Sequence, residues 1–166
     1  MVGETSAKGR EYVLTTCTPS DLRKADLRAC VSLVSAGGAV PRKFAEAGLE
    51  HATLLAVVRC GAHVVAVGAI KRVRHDYAAR RARASHFAFP ASTPELGYVA
   101  RSPDHKGHGF AAQILSALTS QHTGPLWATT DLARMKAALG DAGFKRKGKE
   151  WTGARGRLSL WLKPSP

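Results

Sequence analysis

The chain has 166 residues, 45% hydrophobic and 22% charged, a balance that excludes a disordered or fibrous chain and fits one globular domain with a substantial core. No apolar run approaches the roughly 20 residues of a membrane helix, so no membrane partner is expected. Twenty-five Lys and Arg against twelve Asp and Glu leave a net charge of +13. Such a surface attracts nucleic acid, acidic protein or small anions, or serves solubility alone.

Cys17, Cys30 and Cys60 form no C-x-x-C pair, and no two histidines stand four apart. Neither a disulfide framework nor a metal site is expected. Without a signal-peptide core at the N-terminus, the expected location is cytoplasmic.

In chain order, residues 1–10 are polar and read as a flexible N-terminus, and 11–166 as one domain. Glu11–Thr16 has first-strand composition. After the helix-start signal Thr18-Pro-Ser-Asp21, Leu27, Cys30, Val31 and Val34 mark one helix face, closed by Gly37-Gly38. Pro41–Ala47 is a short second helix, with Gly48 after it. Thr53–Arg59 and His63–Lys71 are nearly continuous apolar strands around a turn at Cys60-Gly-Ala62, hence a hairpin covered on both faces. A basic segment follows: Lys71, Arg72, Arg74, Arg80, Arg81 and Arg83, with His75, Tyr77, His86 and Phe87 among or just beyond them. Its alanines favour a helix over Tyr77–Ala84. Basic residues alternating with aromatics suit phosphate contact plus base stacking, or else form a solvated connection. Further strands are read at Leu96–Ala100 and Leu126–Thr130, then a helix at Leu132–Leu139. Phe144–Trp151 and Arg157–Lys163 form a terminal hairpin.

The most informative stretch is Lys106-Gly107-His108-Gly109-Phe110-Ala111, between the strand at Leu96 and an amphipathic helix. Strand, glycine-rich turn and helix make a phosphate cradle, because the first helical N–H groups lack internal partners. Alternatively it is an ordinary strand-to-helix turn. It is not a P-loop, and Ala112 stands where a dinucleotide fingerprint has its third glycine.

Glu95 through Ala111 resembles the acyl-CoA signature of the GCN5-related N-acetyltransferases (GNAT), [QR]-x-x-G-x-[GA], written here Lys106-x-x-Gly109-x-Ala111 with Lys replacing Gln or Arg. Asp131–Phe144 is similar to that family's next helix, which ends in Gly-Phe. The resemblance covers residues 50–163 well, and the N-terminal third by element order. It implies a single-domain α/β fold: a central mixed, mostly antiparallel sheet of six to seven strands flanked by about four helices. It also implies acetyl-CoA as a substrate that is not tightly held, with no metal. Pantetheine would lie on Val99, Ala100 and Arg101, and the pyrophosphate on the N–H groups of Lys106, Gly107, His108, Gly109, Phe110 and Ala111.

The implied reaction moves an acetyl group from a thioester to an amine, which needs a base for the ammonium and an acid for the thiolate. Glu95 is the base candidate by position, or else a surface strand-end residue. Leu139 stands where the family commonly has an acidic Tyr, and Leu132 at its Asn position, so Tyr98 is the acid candidate, with Tyr77 and Ser159 behind it. His105 and His108 suit anion contact. Lys71, Arg72, Arg74, Arg80, Arg81 and Arg83 would meet an acceptor, which is a small amine, a protein lysine or N-terminus, or, as charge favours, an amine on nucleic acid such as aminoacyl-tRNA or a modified base. The alternative is a non-catalytic nucleic-acid-binding or regulatory module on a degenerate fold of this type. Oligomeric state is open, with a dimer compatible.

Overall fold

The computed structural model describes residues 2–7 and 9–166. Its elements are β1 (Val2–Ala7), β2 (Arg10–Cys17), α1 (Lys24–Ala36), α2 (Arg42–Glu50), β3 (Leu54–Cys60), β4 (His63–Ile70), α3 (His75–Ser85), β5 (Leu96–Arg101), α4 (Phe110–Gln121), β6 (Leu126–Thr130), α5 (Ala133–Asp141), β7 (Lys145–Thr152) and β8 (Arg157–Lys163). Among the described residues the strands form two antiparallel sheets, β1-β2-β3-β4-β5 and β6-β8-β7. They meet at a parallel bridge between Glu95 and Trp127, which makes the whole mixed, as expected.

The strand count exceeds the expected six to seven, and there are five α-helices rather than about four. Part of the difference is N-terminal. Residues 2–7, expected within a flexible tail, form β1, in antiparallel register from Val2 opposite Thr15 to Ala7 opposite Arg10. The segment has no apolar alternation to announce a strand; its backbone pairs with an otherwise open edge of β2. Met1 and Lys8, also within that expectation, lie outside the described residues.

The β3–β4 hairpin is covered on both faces. Ala56 and Val58 face one core with Ile114 and Leu118 of α4, while Leu55 and Val57 face another with Val31 and Val34 of α1 and Leu49 of α2. Strand alternation sends successive side chains to opposite faces, so a continuous apolar run serves two cores. Cys30 lies fully buried on the α1 stripe, and burial pushes its thiol up to about 12, as for a packed, inert cysteine.

Helix α2 does not stop at Ala47 but continues through Gly48 to Glu50. A Cβ at Gly48 would run into the Tyr98 hydroxyl. The glycine is there for close approach of β5, not as a stop signal. A third cluster joins Ala78 of α3 to Trp127 and Leu160, with Tyr77, Phe87, Phe89 and Trp151 against it. No helix among the described residues is long and apolar enough to cross a membrane.

Candidate active site

The site lies where the two sheets part. β5 and β6 begin side by side: the Trp127 N–H donates to the Pro94 carbonyl at 3.1 Å, and Glu95 bridges Trp127. Beyond that point no ladder joins them. Val99, Ala100 and Arg101 therefore pair with β4 on one side only, as in Ala100 with Val67 and Arg101 with Ala66. Their other edge offers free backbone donors and acceptors to an extended ligand.

The register with β4 shifts between Val67 and Ala69, so Tyr98 and Val99 together face Gly68. This is a β-bulge, and Tyr98 takes a left-handed φ of 54°. A tyrosine in that region costs about 1 kcal/mol or more and persists only when its surroundings hold it.

The turn after β5 carries two further left-handed residues, Gly107 (φ 79°) and Gly109 (φ 68°). A Cβ at Gly107 would touch nothing within 4 Å, and one at Gly109 only Gln113 Nε2, at 4.0 Å. These glycines are demanded by conformation, and open space lies before them. Gly109 is the N-cap of α4 and supplies no side-chain cap, so the first amides of α4 face that space. Gln113 Nε2 donates to the His108 carbonyl at 3.0 Å and braces the turn. Lys106 is exposed at its rim. These features fit an anionic cofactor such as acetyl-CoA, with the pyrophosphate on the turn and the arm along β5.

Glu95 is buried, not a surface strand end. Its Oε1 accepts from Lys71 Nζ at 2.5 Å, with the two side chains 8% and 16% exposed. The same ammonium lies 4.0 Å from the centre of the Tyr98 ring. Gly97 makes room: a Cβ there would lie 2.8 Å from Lys71 Cε. Burial by itself would lower the Lys71 pKa, but Glu95, Tyr98 and Tyr77 outweigh it and the pKa is raised. The residue is a held ammonium.

Lys71 thus departs from the expectation of a surface contact. It belongs to the Glu95–Tyr98 group, because the last apolar residues of β4 carry it inside. Leu139 is fully buried in the core and offers no proton. Ser159 is buried too, accepting from Trp161 Nε1 at 2.9 Å.

Arg72, Arg74, Arg80, Arg81 and Arg83 gather on α3 and its approach. Among the aromatics there, His75 and His86 are exposed, while Tyr77 and Phe87 are half-buried. The Tyr77 ring is taken by Trp127, 5.7 Å away, and by the guanidiniums of Arg74, Arg80 and Arg81 at 4.9, 5.7 and 4.8 Å. Phe87 packs beside Trp127. Periodicity could not show that α3 turns its aromatics onto β6 and β8.

Two features escaped sequence reasoning. Buried Tyr12 of β2 binds both histidines beside the turn, His105 Nδ1 at 2.8 Å and His108 Nε2 at 3.3 Å. His105 has a lowered pKa, from burial first and then from Arg10. Tyr12 engages one ring nitrogen of each histidine, and His105 also lines an open pocket with Arg10, His63 and Asp104. Arg155, between β7 and β8, donates to both Asp131 oxygens at 3.1 and 2.9 Å and to the Gly37 carbonyl at 2.5 Å. It ties the hairpin loop to the end of α1 across the cleft. Neither partnership has a local signal, since Tyr12 and His105 stand 93 residues apart and Arg155 and Gly37 118 apart.

No protein-family model matches the sequence. No curated protein matches it either. Solved structures do match in three dimensions. An acyl-CoA N-acyltransferase from Pseudomonas aeruginosa superposes with a TM-score of 0.65 at 17% identity, over 90% of this chain and 97% of that one. YncA from Salmonella typhimurium, solved with its cofactor acetyl-CoA, gives 0.65 at 16% identity over 91% and 93%. A GNAT-family acetyltransferase from Bacillus cereus gives 0.64 at 14% identity over 92% and 98%. With the sheets parted at β5 and β6, the bulge at Tyr98 and the glycine turn into α4, the chain has the fold of the GNAT acetyltransferases.

Proposed function

We propose that the protein is an acetyl-CoA-dependent N-acetyltransferase. The observation that carries this is the open edge of β5 leading into the uncapped, glycine-flanked N-terminus of α4. Acetyl-CoA, when bound, supplies an acetyl thioester. Backbone amides of Lys106–Ala111 hold the pyrophosphate, and the edge at Val99–Arg101 aligns the arm. On the other side of β5, the Glu95 carboxylate accepts the proton of the incoming ammonium, while Lys71 holds it in place. Tyr98 Oη is the proton donor for the departing sulfur, the role Leu139 is unable to fill. Removing such a base or acid typically costs 10²–10⁴-fold in rate.

For the acceptor we favour an amine on nucleic acid, such as aminoacyl-tRNA or a modified base. Supporting this, Arg72, Arg74, Arg80 and Arg83 have no carboxylate partner among the described residues. Release of free CoA thiol, followed with pools of tRNA, protein and small amines, tests both parts. Release with the tRNA pool supports the reading. Release only with small amines or protein removes the nucleic-acid acceptor, and none with any pool leaves a non-catalytic binding module.

A further inference from the structure

A cavity of about 550 Å³ opens at the start of α3, lined by Arg72, Arg74, His75, Asp76, Tyr77 and Arg80 among others. We propose that it is a phosphate site, in which Arg72, Arg74 and Arg80 hold one phosphate group of the acceptor. The proposal deepens the acetyltransferase reading above and rests on it.

Charge is the first support. The three arginines make no ion pair among the described residues, and Asp76 is the sole carboxylate on the wall. The surplus of two positive charges leaves the wall complementary to an anionic phosphate. Arg81, on the same ring, has its Nε buried without a hydrogen-bond partner.

Preorganisation is the second support. Arg74 and Arg80 rest on the Tyr77 ring, which Trp127 holds from the core. Guanidiniums fixed on a rigid ring lose less freedom on binding, and their planar fork suits pairs of phosphate oxygens. Position is the third. Lys71, paired with Glu95, immediately precedes Arg72, and Tyr77 lies close enough to Lys71 to act on its charge. A phosphate held by Arg72 would lie one residue along the chain from the ion-pair partner of Glu95.

The test titrates pyrophosphate by calorimetry into the whole protein saturated with CoA, so that the turn before α4 is filled. Wild type should bind, and Arg74→Gln/Arg80→Gln should bind roughly tenfold or more weakly. Lys147→Gln/Lys149→Gln, an equal charge loss on β7, should bind as wild type does. No binding by wild type, or equal weakening in the two double variants, overturns the site. Displacement by tRNA marks a phosphodiester source, and displacement by an aminoalkyl phosphate a small-molecule one. If CoA itself fails to bind, the acetyltransferase reading falls, while the same comparison without CoA still reads the arginine site.

Discussion

At the scale of single residues, the proposed base Glu95 and its ion-pair partner Lys71 give the first tests. Glu95→Gln should lower turnover 10²–10⁴-fold at neutral pH, with partial recovery at high pH as free amine accumulates. A flat comparison with wild type across the pH range would leave Glu95 with only its ion pair. Lys71→Met strands a buried carboxylate and should cost about 3–5 kcal/mol in a denaturant titration. The double variant Lys71→Met/Glu95→Gln should recover part of that loss, because no charge is then left unpaired. If the two losses simply add, the pair is not coupled. Asp26 offers a pH signature. Its carboxylate accepts from Arg23 and Arg59, both at 3.1 Å, and its pKa is lowered, by Arg23 first. A depressed folded pKa stabilises above the ordinary carboxylate range, and that stability is lost as pH falls through the folded value. Asp26→Asn should therefore be less stable than wild type near pH 7, by about 2 kcal/mol, with the gap closing under acid. A gap independent of pH would refute the linkage.

At the scale of elements, two glycines test the site from opposite sides. Gly109→Glu forces a side chain and a negative charge into the left-handed cap of α4. The variant should fold, since almost nothing surrounds that Cβ, yet lose acetyl-CoA binding by calorimetry. Retained affinity would remove the turn from the cofactor site. Gly48→Ala runs the other way. In an ordinary helix interior alanine gains up to about 1 kcal/mol over glycine. In α2 its methyl group meets the Tyr98 hydroxyl, so the ring must move. The expected outcome is a folded protein with reduced kcat, and unchanged kcat with raised stability would dissociate Tyr98 from catalysis.

At the scale of the whole molecule, the net charge of +13 is unevenly placed. The ion pairs near β7 and Asp131 use Arg146, Arg155 and Arg157, while Arg72, Arg74, Arg80 and Arg83 make no ion pair among the described residues. If α3 contacts a nucleic-acid backbone, log affinity for tRNA falls linearly with log salt, by about 0.7 to 0.9 per phosphate neutralised. Neutralising Arg72, Arg74 and Arg80 together should flatten that slope by roughly two to three units, with acetyl-CoA affinity little changed. Flat, weak binding by the wild type at several salt concentrations would exclude the nucleic-acid acceptor.

The sequence by itself determined the elements whose signals are local. The apolar runs of β3 and β4, the Leu27–Val34 stripe of α1 and the glycine turn at Lys106–Ala111 each follow from steric and hydrophobic patterns within a few residues. Those patterns carried the fold class and the turn before α4. Tertiary structure alone decided what depends on meetings between distant segments. Lys71 reads as the first of six cations, yet it pairs with Glu95 because β4 and β5 are neighbours. Tyr77 reads as one aromatic of a basic segment, yet its ring packs against Trp127. Tyr98 gains its strained bulge from the register with Gly68, and its place against α2 from the missing Cβ of Gly48. Val2–Ala7 joins the sheet because β2 offers an edge. Burial, pairing and orientation arise when elements pack, and a one-dimensional pattern contains the elements but not their contacts.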